Sequence, residues 1–136
     1  MLERRFHLEV RTSQKLVYEG EVSSIKAPGA LGSFEILSGH IPFLTMLRTG
    51  EICIRESETV QSIATSGGVL EVLRTGVTVL ADTAEWGHEI DVERAEGARQ
   101  RAEDLLASHG KNSDRLSAET ALARASNRLK IANQHR

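Results

Sequence analysis

The hydrophobic pattern of the chain changes at Asp91. Before this residue, apolar side chains fall in short β-branched or alternating runs, which are typical of β-strands. The runs are Phe6–Val10, Val17–Ile25, Phe34–Leu37, Ile52–Ile54, Ile63–Thr65, Val69–Leu73 and Val77–Ala81. Strands that recur about every 8–12 residues predict an antiparallel sandwich or barrel rather than a βαβ sheet.

Glycine-containing turns separate these runs. Glycine adopts positive φ without steric cost, so it favours tight reversals of the chain. The predicted turns are Pro28-Gly29, Leu31-Gly32, Ser38-Gly39, Arg48-Thr49-Gly50, Ser66-Gly67-Gly68 and Arg74-Thr75-Gly76.

After Asp91 the apolar residues recur every three or four positions, which predicts helices. Asp91 is suited to be an N-cap, and Glu93 is favourably placed in the first turn. The first apolar stripe is Ala95, Ala98, Ala102, Leu105 and Leu106, and the second is Ala118, Ala121, Leu122, Ala125, Leu129 and Ala132. The segment His109–Asp114 between them supplies a stop, a turn and a second cap. So short a link predicts an antiparallel hairpin.

The sequence therefore predicts an α+β fold, with an antiparallel β-sandwich over residues 1–86 and a two-helix hairpin over residues 87–136. The seam of this hairpin is mostly alanine, and each buried methyl contributes only about 0.8 kcal/mol. Ordering the backbone costs roughly 1–2 kcal/mol per residue, and Gly97 removes up to about 1 kcal/mol more. The compact hairpin is predicted to be marginally stable, so that a ligand or a protein surface can shift its population.

Composition narrows the class of protein. The chain has 136 residues, 40% of them hydrophobic, which indicates one small domain with an appendage. Its apolar runs are shorter than the roughly 18–20 residues of a membrane span, and the N-terminus lacks the pattern of a signal or transit peptide. Cys53 is the only cysteine, which excludes an intramolecular disulfide and a CxxC zinc site. The five histidines are scattered, so no metal site is predicted.

Charge is distributed unevenly along the chain. Residues 1–90 carry eight basic and twelve acidic side chains, whereas residues 91–136 carry nine and seven. The basic excess after Asp114 suits an acidic protein patch or a phosphate and is too weak for a nucleic-acid site. A simple solvated helix face is the competing interpretation.

Four arginines border the two apolar stripes. On a helical wheel of about 100° per residue, Arg94 and Arg101 lie along one border of the first stripe, and Arg124 and Arg128 lie along the second. Such a set suits a polyphosphate, since guanidinium groups bind phosphate oxygens in pairs. The alternative is that these side chains only cover apolar surface.

Four motifs in order resemble the epsilon subunit of bacterial and chloroplast F-type ATP synthases, called delta in mitochondria. They are Gly32–Thr45 leading to Gly50, Ser66–Val72, Val79–Glu85 and Ile90–Ala95, ahead of the Ala/Arg hairpin. Together they span essentially the whole chain. Three departures from the family pattern are Glu35, Ser38 and the pair Trp86-Gly87.

The resemblance implies a sandwich of about ten strands and a mobile hairpin, in a non-catalytic rotor subunit that requires no cofactor. Its implied partners are the gamma subunit, the c-ring and, when the hairpin is extended, the alpha/beta catalytic head, where the hairpin blocks hydrolysis. With no targeting segment, the expected location is the cytoplasmic face of the bacterial inner membrane, and the chloroplast thylakoid is the alternative.

The resemblance also implies two sets of site residues. ATP, as a regulatory ligand of the hairpin, is expected to contact Glu85, Ile90, Asp91, Arg94, Ala95, Arg101, Arg124 and Arg128. Protein partners are expected to contact Ser33, Glu35, His40, Arg115, Arg124, Arg128 and Lys130.

Two further functions compete with the rotor interpretation. One is a free-standing ATP-sensing module with a β-sandwich base. The other is a hydrolase that uses His40, Ser66 and Asp82, which the absence of a GxSxG elbow disfavours.

Overall fold

The computed structural model describes residues 4–108 and 112–134 and divides into two compact units, Met1–Trp86 and Gly87–Arg136. The first unit contains ten strands, and the second contains a 3-10 turn and two helices. The predicted α+β class, strands followed by a helical hairpin, is confirmed.

The strands are short and follow one another closely in sequence. They are β1 Phe6–Arg11, β2 Leu16–Val22, β3 Ser24–Gly29, β4 Gly32–Leu37, β5 Phe43–Leu47, β6 Gly50–Glu56, β7 Thr59–Thr65, β8 Gly68–Leu73, β9 Gly76–Ala81 and β10 Ala84–Trp86.

Hydrogen bonds join these strands in the order β10-β7-β6-β3-β5-β8-β9-β1-β2, with β4 paired to β3. The neighbours are antiparallel except for β1 and β9, which run parallel. The predicted antiparallel sandwich is therefore confirmed except at this pair. A parallel pair needs a long connection, and here seven intervening strands supply it.

The sheet bends over a single apolar core. The core forms because successive side chains of a strand point to opposite faces of the sheet. In β1, Leu8 and Val10 are fully buried, whereas His7, Glu9 and Arg11 lie on the opposite face. β2 also contacts β6, so distant parts of the sheet meet. The core comprises Leu8, Val10, Val22, Ile25, Ala27, Ile36, Leu47, Ile52, Ile54, Ile63, Leu70, Val72, Val77, Val79 and Ala81.

Two glycines are required where strands approach closely. Gly68 has φ +146°, and a Cβ there would lie 2.2 Å from the carbonyl oxygen of Leu80. Gly76 has φ +150°, and a Cβ would lie 2.6 Å from the carbonyl oxygen of His7. Since L-residues rarely adopt such φ values, these positions accept only glycine without strain.

Two sequence predictions are wrong at the third strand. The run Val17–Ile25 forms two strands, not one, because the chain breaks at Ser23, whose N–H and Oγ both donate to the carbonyl of Arg55 at 2.8 and 3.0 Å. Pro28-Gly29 is part of β3 rather than a turn. The Pro28 carbonyl accepts from the Arg48 amide at 2.9 Å, and its missing N–H is compatible with this position.

Two strands were not predicted. In β5, Leu44 and Met46 are exposed while Leu47 is buried, so the strand lacks the apolar-polar alternation that marks a half-buried strand. β10 has three residues, too few for a periodic pattern. Its Trp86 packs edge-on against Tyr18 with ring centroids 5.9 Å apart.

The second unit begins with the 3-10 turn Gly87–Glu89, followed by α1 Val92–Ala107 and α2 Asn112–Gln134, which pack against each other. Of the predicted link, residues 109–111 lie outside the described residues, and α2 already includes 112–114. The buried positions confirm part of each stripe, through Ala95 and Ala102 in α1 and through Ala118, Ala125, Leu129 and Ala132 in α2. Leu105 and Ala121 are exposed instead, and Ile131 is buried although it was not predicted.

Tyr18 gives a pH-dependent test of the strand unit. Burial raises the pKa of its phenol above the ordinary value of 10.0, and the hydrogen bond that it donates to Glu56 raises the pKa further. The native state therefore holds this proton more tightly than the unfolded chain, and its contribution to stability is lost as pH rises above about 10.

Since Tyr18 is the only tyrosine, absorbance at 295 nm reports its ionisation alone. We expect a native midpoint above 10, and a Tyr18→Phe variant whose urea stability falls less between pH 9 and 11. A native midpoint equal to that in urea would contradict this.

Candidate functional site

The predicted ATP-binding residues are divided between the two units. Glu85 is half-buried in β10 of the first unit, where it pairs with Ala64 of β7. The other predicted contacts lie in the second unit. Most are at the start of α1 or in the C-terminal half of α2, and Arg101 lies past the middle of α1.

Asp91 caps α1, as predicted. Its backbone is extended, with φ −78° and ψ 100°, and its Oδ1 accepts from the Arg94 amide at 3.1 Å. The neighbours divide by polarity: Ile90 and Ala95 are buried, whereas the Arg94 side chain is exposed. The segment Ile90–Ala95 therefore stabilises the start of α1 whether or not a ligand binds. The Asp91 cap accepts a hydrogen bond from an amide that has no partner within the helix.

The arginines of α1 fall into two kinds. Arg99 is paired, with its Nη2 2.6 Å from Glu96 and its Nε 4.0 Å from Glu103. Arg94 and Arg101 are exposed, and among the residues that the structure describes their guanidinium groups hold no hydrogen bond or ion pair. In α2, Arg124 is exposed in the same way and Arg128 is half-buried. The predicted set thus offers three solvent-facing cations on two packed helices.

Gly97 lies close to the end of the Arg101 side chain. A Cβ at this position would lie 3.3 Å from Nη1 of Arg101, so that guanidinium lies over the bare backbone of α1 one turn earlier. Glycine weakens the helix by up to about 1 kcal/mol relative to alanine, but here it leaves room for the arginine. The spacing of Gly97 and Arg101 is the signal that sequence reasoning missed.

The buried side chains of the second unit are mostly small. They are Ile90, Ala95, Ala102, Ala118, Ala125, Leu129, Ile131 and Ala132. Because an alanine buries little apolar area, this seam gains less from the hydrophobic effect than a leucine seam of the same length.

The predicted partner-contact residues are mostly accessible. Ser33 and Glu35 are exposed on β4, and His40 is exposed with its ring 5.3 Å from that of Phe43. On α2, Arg115 and Lys130 are exposed, and Arg115 lies 3.7 Å from Glu119, one turn along the helix.

An exposed apolar row crosses three neighbouring strands. Met46 of β5 is directly opposite Val69 of β8, which is directly opposite Leu80 of β9. Met46 is 57% exposed, Leu80 50%, and Leu44 on the same face 62%, while Val69 is half-buried. Scattered exposed apolar residues are ordinary, but a contiguous row marks an interaction surface. The sequence hides this row because its members come from three distant segments.

The side chains of the alternative hydrolase interpretation do not form a triad in the described part of the chain. Ser66 Oγ accepts a hydrogen bond from Thr83 Oγ1 at 2.7 Å, and His40 lies against Phe43. A cleft of about 560 Å³ beside His40 is also lined by Ser38 and Glu21. In the described part of the chain, however, His40 forms no hydrogen bond with a serine or a carboxylate, as a triad would require.

Two family models together match nearly the whole chain. The model described as "ATP synthase, Delta/Epsilon chain, beta-sandwich domain" matches residues 5–87, and the model of the "long alpha-helix domain" of the same chain matches residues 88–133. The chain therefore belongs to the delta/epsilon chain family of the ATP synthases.

Within this family, the similar sequences are named epsilon chain. The ATP synthase epsilon chain of Desulforamulus reducens is 43% identical over 125 residues, covering 92% of this chain and 95% of the relative. That of Caldanaerobacter subterraneus subsp. tengcongensis is 40% identical over 135 residues, covering 98% of each. As a delta/epsilon chain, the protein is an accessory subunit and not a catalytic one.

Solved structures share the fold. A chain in the Euglena gracilis mitochondrial ATP synthase superimposes with a TM-score of 0.82 at 20% identity, covering 96% of this chain and 82% of that chain. A chain in the Tetrahymena thermophila mitochondrial ATP synthase has a TM-score of 0.66 at 16% identity, with coverages of 97% and 99%. Neither described helix is both long and apolar enough to cross a lipid bilayer.

Proposed function

We propose that this chain is a central-stalk subunit of a proton-translocating F-type ATP synthase, which couples the catalytic head to the c-ring and restrains ATP hydrolysis through its helical hairpin. Its place is peripheral, on the cytoplasmic face of a bacterial inner membrane. Membership of the delta/epsilon family along both units supports this function. Both structural neighbours come from assemblies described as containing the c-ring, and one is described as the central stalk.

The single observation that carries the assembly role is the exposed row of Met46, Val69 and Leu80. A monomer gains nothing from placing large apolar side chains in line on one sheet face, whereas a permanent partner buries them. We assign this row to the gamma subunit. Ser33, Glu35 and His40 are the proposed contacts near the c-ring.

Regulation by the hairpin is supported by the contrast between its seam and the strand core. The strand unit buries leucine, isoleucine and valine, whereas the hairpin seam is mostly alanine. The helices are therefore the part of the chain that a few kcal/mol of differential binding can rearrange. In the extended state, the basic residues of α2 face the alpha/beta head, with Arg115, Arg124, Arg128 and Lys130 as the proposed contacts.

ATP is the proposed ligand of the compact hairpin. Arg94, Arg101, Arg124 and Arg128 would neutralise its phosphates, and the backbone near Ile90, Asp91 and Ala95 would face its base or ribose. In this proposal Asp91 still caps α1. Glu85 would contact the nucleotide base of ATP. A ligand at about 100 times its dissociation constant stabilises the bound state by roughly 2.7 kcal/mol, enough to hold a marginal hairpin closed.

A charge placed in the apolar row is expected to weaken assembly. Leu80→Glu should reduce capture of the gamma subunit by at least about tenfold, because binding would bury an unpaired carboxylate at a cost above about 1.4 kcal/mol. The matched control is Val60→Glu on β7, since both side chains are 50% exposed. Capture is measured by co-purification and by surface-binding kinetics.

If Leu80→Glu and Val60→Glu capture the gamma subunit equally well, the apolar row is not part of the interface. If the wild-type chain binds ATP yet does not associate with gamma at all, the free-standing sensor replaces the rotor assignment.

Removal of the hairpin is expected to release the restraint on hydrolysis. A chain that ends at Glu89 keeps the whole strand core, so it should fold and join the complex, and ATP hydrolysis by that complex should rise several-fold. A full-length variant with Arg115, Arg124 and Lys130 changed to Gln tests whether charge or length is responsible. Unchanged hydrolysis rates in both complexes would show that the hairpin does not regulate the enzyme.

Loss of a solvent-facing arginine is expected to weaken nucleotide binding. Arg94→Gln and Arg124→Gln should each lower ATP affinity by about tenfold or more, since a charge-assisted bond contributes roughly 1.5–3 kcal/mol. Arg99→Gln serves as the control because Arg99 is already paired with Glu96. Calorimetry and the ATP-induced shift in melting temperature are the measurements. If the wild-type chain shows neither heat nor shift, the sensor role fails and the rotor role survives.

A further inference from the structure

The outer face of β1 and β2 gathers one imidazole and three carboxylates. In the antiparallel register, His7 is directly opposite Glu21 and Glu9 is directly opposite Glu19. His7 and Glu9 lie on the face of β1 opposite the core, since Leu8 and Val10, which alternate with them, are fully buried. Residues that are far apart in sequence thus form the four corners of a square on one rigid ladder.

Three of these residues have donor atoms at chelating distance. One ligand atom each from His7, Glu9 and Glu19 lies within 4.8 Å of the other two. His7 Nε2 is 3.1 Å from Glu19 Oε2. Ligands at about 2.0–2.2 Å from a zinc ion are separated by a little over 3 Å, so small rotations of exposed side chains would close the set.

The fourth residue orients the imidazole. His7 Nδ1 lies 3.3 Å from Glu21 Oε1. Metal-binding histidines usually donate the ring N–H that does not face the metal to a carboxylate or carbonyl, which fixes the tautomer and makes the ligating nitrogen more basic. Glu21 is placed for this role, with Nε2 left for the ion.

We propose that His7, Glu9 and Glu19 form a binding site for a divalent transition-metal ion of the zinc type, with Glu21 as the positioning residue. An imidazole beside carboxylates favours zinc-type ions over magnesium and calcium, which prefer oxygen-only sets. The site is independent of the apolar row and of the arginines of the hairpin.

Two groups compete with the ion. Arg11 Nη1 lies 3.0 Å from Glu9 Oε1, so this ion pair must open when Glu9 ligates the metal. The hydrogen bonds to Glu21 and then Glu19 raise the pKa of His7, so the metal must also displace a proton. Because of this competition, binding is measured at pH 8.

The test is a titration of the full-length, metal-free chain with zinc ions alone, followed by calorimetry and by the NMR signals of the His7 ring. We expect one saturable site in the micromolar range. His7→Gln and Glu19→Gln should each weaken it by at least about tenfold, and Glu21→Gln by about tenfold with its ligands retained. Arg11→Gln should strengthen it. The control is His88→Gln, an exposed histidine of the second unit, which should leave affinity unchanged.

Wild-type affinity in His7→Gln would overturn the proposal, as would the absence of saturable binding to the wild-type chain. If His7→Gln lacks a cooperative melt, Glu19→Gln decides: tenfold weaker binding supports the site, and unchanged binding refutes it.

Discussion

The parallel pairing of β1 with β9 is the constraint on which the strand unit depends. It joins the first hairpin of the chain to the last long strands, since β1 forms hydrogen bonds with β2 on one side and β9 on the other. Without this pairing, Leu8 and Val10 would lose the β9 neighbours beside which they lie in the core. The absence of a Cβ at Gly76 lets the backbone of β9 approach the His7 carbonyl of β1. Because β1 and β9 are neighbours, this pairing holds the β1–β2 hairpin, which carries the His7 cluster, beside the strands that carry the apolar row.

The two units bury different kinds of side chain, and this difference suits different roles. Branched side chains in the strand core give a large transfer free energy and dense packing, which hold one arrangement. The alanine seam of the helices gives less of either, which is the basis of the proposed exchange between compact and extended hairpins. The difference in side-chain volume between the two units therefore supports the proposal of a firm strand unit and an adjustable hairpin.

The sequence predicted the fold class and the cap at Asp91, because both are set by local pattern and local chemistry. It missed β5, since Leu44 and Met46 are apolar residues on an exposed face and obscure the alternation. It also could not place Glu9 opposite Glu19, because that proximity depends on strand register rather than on spacing along the chain. For the proposed nucleotide site, the sequence indicated which residue types are present. It did not indicate that the Arg101 guanidinium lies close to Gly97, which depends on the three-dimensional structure.

The ends of the sheet also bear on how the subunit behaves before assembly. Unpaired strand edges recruit other chains into aggregates unless they are short or charged. Here β10 is three residues long, and β2 at the opposite end carries Glu19 and Glu21, with an irregular register between Val10 and Arg11 on its neighbour. Both ends therefore discourage the addition of a further strand. At these two ends, the subunit is thus protected against polymerising through its backbone.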